Sequence, residues 1–339
     1  MKGDFHVRFC GNAGVKFPCV TRLAAMAGQR CPEMKVNRQK FNVYQFKKVE
    51  YMRLKDKVAI VTGSTSGIGL AIAQLFAQEG AKVVIAARKE DIAKEIISEI
   101  KEKGGEAMFV KLEVTDKQQW EDAVKQVKKT YGGLHILVNN AGTNDMSSLP
   151  YIDLEKWEKV MAINVTGPMM GMWVCAPLMK ESGGGSIVNI SSLGGLQGTP
   201  STAYSTSKWA LNGLSASAAY SLADWGIRSN VIAPGFIRNT NLTKPMENKA
   251  VQAIVGKNPM TENALLARAG ETIELAQAAL FFACDDSSYV TGVIMPVDGG
   301  LYDAGVYSLA RSKMGMLTKV QGVQSKVSGF MKTIKGDKK

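Results

Sequence analysis

Short apolar runs alternate with longer amphipathic stretches through the middle of this chain. Seven runs are rich in β-branched residues and short enough to be strands: Val58–Thr62, Lys82–Ala86, Ala107–Lys111, His135–Val138, Ser186–Ile190, Arg228–Ile232 and Val293–Val297. Stretches with helical periodicity separate them, among them Leu70–Gln78, Gln118–Lys129, Leu154–Met161 and Ala203–Leu222. This alternation predicts an α/β fold with parallel strands, right-handed crossovers and helices on both faces. In such a three-layer αβα sandwich, ligands bind at the carboxyl ends of the strands.

A glycine-rich turn links the first predicted strand to the first predicted helix. It reads Gly63-Ser64-Thr65-Ser66-Gly67-Ile68-Gly69. Glycines let the backbone approach a pyrophosphate closely, and the unpaired N–H groups of a helix N-terminus favour its negative charge. The spacing G-x-x-x-G-x-G differs from the general dinucleotide fingerprint, G-x-G-x-x-G. The turn therefore suits a dinucleotide, and a flexible loop without a ligand is the alternative.

Tyr204 and Lys208 are four residues apart in a predicted helix, so their side chains share one face. An unperturbed phenol has a pKa of about 10, and a tyrosine that exchanges protons near neutrality needs a fixed positive charge beside its anion. Lys208 is placed to provide that charge, and we expect it to lower the pKa of Tyr204. Taken alone, the Y-x-x-x-K spacing is more typical of an ordinary surface helix.

Further motifs follow in a fixed order: Asn139-Asn140-Ala141-Gly142, Asn164, Ser192, Pro234-Gly235 and Val297-Asp298-Gly299-Gly300. Together with the glycine-rich turn and the Tyr204/Lys208 pair, they make residues 52–300 resemble the short-chain dehydrogenases/reductases. The resemblance implies one Rossmann-type, doubly wound domain, a nicotinamide cofactor and no metal. It also implies a catalytic set of Ser192, Tyr204, Lys208 and Asn164.

Each catalytic residue has an expected role by the same resemblance. Tyr204 exchanges a proton with the substrate oxygen, Ser192 hydrogen-bonds that oxygen, and Lys208 holds the cofactor ribose. Asn164 supports a water that relays protons, or is a residue of a helix kink. The choice of serine is open: the gap to Tyr204 is 13 residues from Ser191, the usual value, and 12 from Ser192, whose S-x-x-G pattern leads us to choose it.

The nicotinamide cofactor is expected to be NADP, with NAD as the alternative. No acid stands at Ala87 to bind a ribose 2′-hydroxyl, whereas Arg88 and Lys89 could pair with a 2′-phosphate. Glu113 stands where the family usually has Asp. The resemblance implies cofactor contacts at Gly63, Ser66, Gly67, Ile68, Gly69, Arg88, Glu113, Val114, Asn140, Ala141, Gly142, Tyr204, Lys208, Pro234, Gly235 and Ile237.

The expected substrate is a small apolar ketone or alcohol. An apolar lid is predicted from Leu242, Met246, Ile254, Met260, Leu265 and Leu266. With Ser207-Lys208-Trp209, the lid resembles hydroxysteroid dehydrogenases of the 3α/20β type more than acyl-carrier reductases. A second hypothesis for the function is reduction of 3-oxoacyl carriers or small ketones, and a third is a catalytically inactive protein that senses the cofactor.

Charge divides the chain into three parts. Residues 1–51 carry ten Lys/Arg and three acids, residues 301–339 carry eight and two, and the part between is nearly balanced at 24 and 25. The net charge of +12 thus belongs to the ends of the chain, so a nucleic-acid site in the dehydrogenase domain (52–302) is not expected.

Three interpretations of the N-terminal extension (1–51) are open. It is a weak organellar targeting signal, or the result of a start codon placed too early, or an arm that packs on the domain or on a partner subunit. The C-terminal tail (303–339) predicts a basic amphipathic helix that packs on protein or, less simply, on a membrane surface.

Five unpaired-looking cysteines and the lack of a secretory signal favour the cytoplasm. No run reaches transmembrane length, so integral membrane association is not expected. Family resemblance implies a homo-oligomer, either a dimer or a tetramer, formed through the long helices around Leu154–Met179 and Ala203–Leu222. His135, at the start of a buried strand, is expected to be structural.

Overall fold

The computed structural model describes residues 52–244 and 259–304. Seven strands form one parallel sheet in the order β3-β2-β1-β4-β5-β6-β7. The strands are β1 (Val58–Thr62), β2 (Lys82–Ala87), β3 (Glu106–Lys111), β4 (Ile136–Asn139), β5 (Gly185–Ile190), β6 (Ile227–Pro234) and β7 (Ile294–Val297). The doubly wound α/β fold predicted from the sequence is confirmed, and each predicted strand ends within two residues of an observed one.

Helices cover both faces of the sheet. They are α1 (Gly67–Gln78), α2 (Glu90–Glu102), α3 (Lys117–Tyr131), α4 (Leu154–Met161), α5 (Gly167–Glu181), α6 (Thr202–Ser221), α7 (Pro259–Asn263), α8 (Thr272–Ala283) and α9 (Leu301–Ala304), numbered within the described ranges. Helices α1, α2 and α8 pack on one face, and α3 and α5 pack on the other. The three-layer αβα sandwich follows.

The core explains why the strand sequences are continuously apolar. Along β1, Ala59 and Val61 face the α1/α8 side, whereas Val58 and Ile60 face the α3/α5 side. All these residues are buried because helices cover both faces of a parallel sheet. Strand β4 lies at the centre, with β1 beside it, and the direction of the crossovers reverses between β1 and β4. A crevice opens at such a reversal, beyond the carboxyl ends of the strands.

Helix α4, a π-helical turn (Ala162–Thr166) and α5 run on as one helix, Leu154–Glu181. In the described part of the chain, it alone has the length and apolarity, with a mean hydropathy of 1.2, that a membrane span would need. The sequence expectation that nothing reaches this length is therefore wrong. Met172, Cys175 and Met179 of this helix are buried in the core, so its apolar face packs against the sheet.

The predicted N-terminal extension (1–51) and the C-terminal tail from residue 305 onward lie outside the described residues. Cys175 and Cys284 are buried free thiols, as expected for small core residues. Across residues 52–244 and 259–304, no cluster of three His, Cys, Asp or Glu side chains could hold a metal ion.

Candidate active site

A cavity of about 500 Å³ lies at the carboxyl ends of the central strands. Residues that follow β1, β2, β3, β4, β5 and β6 line it, and most of the predicted site residues are among them. These are Gly63, Ser66, Gly67, Ile68, Arg88, Glu113, Val114, Asn140, Ala141, Gly142, Ser192, Tyr204, Lys208, Pro234, Gly235 and Ile237. Two predicted site residues, Gly69 and Asn164, do not line the cavity.

The glycine-rich turn is held against the end of β4. The Asn140 amide donates to the carbonyl oxygens of Thr62 (2.9 Å) and Gly63 (3.2 Å). In return, the Thr62 hydroxyl accepts the backbone N–H groups of Asn140 (2.9 Å) and Ala141 (3.0 Å). Gly63 has a φ of +62°, and a Cβ there would lie 3.0 Å from the Ala141 Cα. Only glycine therefore satisfies both the backbone conformation and the close approach.

The N-terminus of α1 opens into the cavity at this turn. Ser66 precedes the helix in extended conformation, and its side chain does not cap it. Its hydroxyl instead accepts from the Asn241 amide at 3.1 Å. The first N–H groups of α1 are thus left for another acceptor, and an anion is favoured there. A narrow backbone turn, an uncapped helix end and a long cavity fit the pyrophosphate of a dinucleotide.

Gly69 serves packing rather than contact with the cavity. A Cβ on Gly69 would overlap the Asn140 amide and the Gly63 carbonyl oxygen. The contact of Gly69 with the cofactor remains a prediction, and the structure gives this glycine an additional packing role. Gly69 allows α1 to sit close enough to the turn for its N-terminus to face the cavity.

Ser192 and Tyr204 are brought together by contacts between a short 3₁₀ turn (Leu193–Gly195) and α6. The Ser192 hydroxyl accepts from the Gly194 N–H at 3.1 Å, and Ser192 lies near enough to the Tyr204 phenol to influence its pKa. Ser205 donates to the Gly194 carbonyl oxygen at 2.6 Å, which holds the turn against α6. Ser191 is buried and donates instead to the Lys208 carbonyl oxygen at 3.2 Å. The geometry thus brings Ser192, and not Ser191, to the phenol.

Lys208 lies behind the tyrosine. Its Nζ is 5.6 Å from the centroid of the Tyr204 ring and donates to the Ile190 carbonyl oxygen at 2.8 Å. Burial of the ammonium lowers the pKa of Lys208 to about 8. Burial also raises the pKa of Tyr204, although the Ser192 hydrogen bond opposes this rise. The expected lowering of the Tyr204 pKa is therefore not found in the chain alone, because burial outweighs the stabilising neighbours.

Asn164 lies in the π-helical turn and is fully buried. Its side chain accepts from the Thr143 N–H and donates to the Thr143 carbonyl oxygen and the Ser207 hydroxyl, each at 2.9 Å. Asn164 thus fixes the loop after β4 against α6, on the turn before Lys208. This is the kink residue that the sequence offered as an alternative, and its predicted relay role remains a prediction.

The family model described as short chain dehydrogenase matches residues 57–250, which contain the turn, the serine, the tyrosine and the lysine described above. This chain is a member of the short-chain dehydrogenase family.

Relatives of this short-chain dehydrogenase have several named substrates. It is 39% identical over 249 residues to the 2,5-dichloro-2,5-cyclohexadiene-1,4-diol dehydrogenase LinX of Sphingobium indicum, covering 73% of this chain and 97% of that one. It is 38% identical over 251 residues to the 3-oxoacyl-[acyl-carrier-protein] reductase FabG of Thermotoga maritima (74% and 99%). It is 36% identical over 249 residues to the 3-alpha-(or 20-beta)-hydroxysteroid dehydrogenase of Mycobacterium tuberculosis (73% and 90%).

Among solved structures, a gluconate 5-dehydrogenase from Burkholderia cenocepacia, in complex with NADP and tartrate, superposes on this short-chain dehydrogenase with a TM-score of 0.69. The two chains are 30% identical, and the match covers 75% of this chain and 98% of that one.

Arg88 directly follows β2 and lines the cavity of this short-chain dehydrogenase. Its side chain is 74% exposed, and Nη1 lies 3.7 Å from the Glu113 carboxylate. Exposed ion pairs of this kind contribute little, typically about 0–1 kcal/mol. The guanidinium therefore can exchange Glu113 for a phosphate at small cost.

The substrate end of the cavity differs in part from the predicted lid. Leu242 and Met260 line it, whereas Met246 and Ile254 lie outside the described residues. Leu265 and Leu266 do not line the cavity, and their part in the lid remains a prediction. The Leu266 N–H donates to the Gly299 carbonyl oxygen at 3.0 Å, and a Cβ on Gly300 would overlap Leu265. Both leucines therefore pack against this turn.

Several lining residues escaped the sequence analysis. They are Thr65, Thr143, Asn144, Lys159, Phe236, Thr240, Asn241 and Thr243. A sequence signal exists for three of them, because Thr143 and Asn144 directly follow Gly142 and Phe236 directly follows Gly235. His135 is structural as expected, since its Nδ1 accepts from the Val58 N–H at 3.0 Å, and burial lowers its pKa.

Proposed function

We propose that this short-chain dehydrogenase interconverts a secondary alcohol and a ketone by NADP-dependent hydride transfer, with NAD as the alternative cofactor. One observation carries the proposal. Ser192 and Tyr204 both line the cavity, and the Lys208 Nζ lies 5.6 Å from the centroid of the Tyr204 ring. Two hydroxyl donors that converge on one point stabilise a substrate oxygen as negative charge develops on it.

Tyr204 and Ser192 have separate roles in the proposed proton transfer. When bound, the nicotinamide supplies the hydride for reduction or accepts it for oxidation. In reduction, Tyr204 gives its phenolic proton to the carbonyl oxygen while Ser192 hydrogen-bonds the same oxygen. The Gly194 N–H occupies one lone pair of Ser192, and the Ser192 hydroxyl donates its proton to the substrate oxygen once the substrate is bound. The raised pKa of Tyr204 keeps the phenol protonated at neutral pH, which suits a proton donor.

Lys208 replaces the proton that Tyr204 gives up. One of its three N–H groups is used on the Ile190 carbonyl oxygen, which leaves two for the cofactor ribose. A pKa of about 8 allows Lys208 to lose and regain a proton near physiological pH. Asn164 remains the proposed support for a water that connects Lys208 to solvent.

The residues that would hold NADP divide into five groups. The turn residues Gly63, Ser66, Gly67 and Ile68 would hold the pyrophosphate, and Glu113 and Val114 would contact the adenine. Asn140, Ala141 and Gly142 would leave room for the ribose, and Pro234, Gly235 and Ile237 would border the nicotinamide. Arg88 would pair with the 2′-phosphate. The NADP held by the similar Burkholderia structure supports this choice.

For the substrate, we propose a hydroxysteroid or a ketone of similar apolarity. Part of the cavity wall is apolar, since it is lined by Phe236, Leu242 and Met260. A hydroxysteroid dehydrogenase is also among the relatives. The comparable identity to FabG keeps 3-oxoacyl or small-ketone reduction as the alternative. The intact Ser192, Tyr204 and Lys208 set argues against an inactive sensor. A cytoplasmic location and a homodimer or homotetramer belong to the same proposal.

Loss of reduced-nicotinamide absorbance tests the proposal directly. A panel of 3-keto steroids, 20-keto steroids, 3-oxoacyl thioesters and small cyclic ketones is assayed with NADPH and with NADH. Turnover of at least one ketone, faster with NADPH, is expected. Nucleotide binding without turnover across the panel would favour the cofactor-sensing alternative.

A further inference from the structure

Asn144 lies in the cavity wall and has no role in the proposed chemistry. It follows Thr143, whose backbone is fixed on both sides by Asn164. Its side chain is half-buried, so it is neither a core residue nor a freely solvated one. The position of Asn144 is therefore set by the same contact that fixes the loop against α6.

The two ends of the Asn144 amide have unequal partners. The hydroxyl of Ser201, which is buried just before α6, is shared between Asn144 Oδ1, at 2.7 Å, and the Asp145 carbonyl oxygen. On the other side, Nδ2 meets the Met146 sulfur at 3.6 Å. A thioether is a weak acceptor, so the NH₂ group has a poor partner within the described residues. Ser201 thus anchors one end of the amide and leaves the other for a ligand in the cavity.

We propose that Asn144 is a specificity-determining residue that hydrogen-bonds a second oxygen of the substrate. This inference rests on the proposed function, in which Ser192 and Tyr204 occupy the first oxygen. A partly desolvated amide in a wall shared with Phe236, Leu242 and Met260 favours a substrate that supplies an acceptor. The favoured class is therefore diols and hydroxyketones, in which a second hydroxyl lies near the reacting carbon.

The inference is tested by oxidation of cyclohexanol and the positional isomers of cyclohexanediol, with NADP⁺ and NAD⁺, in wild type and Asn144→Leu. One neutral hydrogen bond corresponds to about two- to tenfold in kcat/KM. We expect at least one diol to exceed cyclohexanol by that factor in wild type. In Asn144→Leu the ratio should fall to near one, while kcat/KM for cyclohexanol changes by less than about threefold.

Asn241→Leu is the matched control, because Asn241 also lines the cavity but bonds Ser66 of the glycine-rich turn. It should change both alcohols equally and preserve the diol ratio. Asn144→Ser keeps a polar group and should retain part of the ratio, which covers the case in which Asn144→Leu does not fold.

Two results would overturn the inference, and they are distinguishable. Oxidation of all the alcohols without a diol preference, or an equal loss on all of them in Asn144→Leu, would make Asn144 a structural residue while leaving the proposed function intact. Failure to oxidise any alcohol or to reduce any ketone of the earlier panel, with dinucleotide bound, would contradict the proposed function as well.

Discussion

The two ends of the cavity differ in what shapes them: backbone conformation at the proposed nucleotide end, around the glycine-rich turn, and side chains at the chemical end, around Ser192 and Tyr204. At the nucleotide end, Gly63 and Gly67 adopt positive φ, and Gly69 lets α1 approach the turn. At the chemical end, side chains from β5, α6 and the loop after β4 converge through hydrogen bonds. Changes at the first end should therefore act on nucleotide affinity and fold. Changes at the second should act on turnover.

The largest effect expected from a single serine comes from Ser192→Ala. Loss of one donor aimed at the developing oxyanion lowers kcat by about 10²–10³-fold, while nucleotide affinity stays nearly constant. Steady-state kinetics and nucleotide titration measure the two effects separately. Ser191→Ala is the matched control, because Ser191 donates to the Lys208 backbone, and it should lose far less activity. The reverse order would assign the role to Ser191.

A pH titration of stability examines the buried charge at the chemical end. The native pKa of Lys208 is about 8, whereas an unfolded lysine has a pKa of about 10.5. Between these values the unfolded chain binds more protons, so the contribution of Lys208 to native stability rises with pH. The free energy of unfolding of wild type, minus that of Lys208→Met, should rise by roughly 3 kcal/mol between pH 7 and pH 11. Urea titrations of the nucleotide-free chain measure it. A flat difference would show that Lys208 is not desolvated.

Gly69→Ala tests the nucleotide end. The new methyl group would overlap the Asn140 amide and the Gly63 carbonyl oxygen, and such overpacking typically costs about 1–3 kcal/mol. We expect a lower melting temperature and at least about tenfold weaker nucleotide binding. Gly213→Ala on α6 is the control, because no atom lies within 4 Å of its added Cβ. That variant should gain about 0.5–1 kcal/mol from helix propensity. Equal behaviour of the two variants would contradict the packing role of Gly69.

The smallest expected effect concerns the choice of nucleotide. Arg88→Ala should weaken NADPH binding by about tenfold, as expected for loss of one charge-assisted contact, and leave NADH nearly unchanged. Lys94→Ala, which removes another exposed cation that pairs with Glu90, should alter neither. Titration of Arg88→Ala with NADPH and with NADH measures both affinities. An equal loss of affinity for the two nucleotides would contradict the assignment of Arg88 to the 2′-phosphate.

The sequence predicted the nucleotide end better than the chemical end, for a physical reason. Backbone conformation depends on local residues, so the glycines, the strand before them and the helix after them were readable from Val58 to Gln78. Even here, the packing role of Gly69 required the structure, because its neighbour Asn140 is distant in sequence.

The chemical end depends on contacts between distant segments. The choice between Ser191 and Ser192 follows from where the 3₁₀ turn meets α6, which spacing alone left open. The apolar pattern of Leu265 and Leu266 could not reveal that they contact Gly299 and Gly300. Burial of Tyr204 and Lys208 likewise emerges only from packing, and it reversed the expected direction of the Tyr204 pKa.

The central claim is that Tyr204 is the proton donor of a site whose nucleotide end is built independently. Tyr204→Phe, assayed for both kcat/KM and nucleotide affinity on the best substrate, tests it most directly. Tyr220→Phe, at an 89% exposed tyrosine of the same helix, is the control. We predict that Tyr204→Phe loses about 10²–10⁴-fold in turnover with nucleotide affinity within about threefold of wild type. Full turnover in Tyr204→Phe would contradict the account.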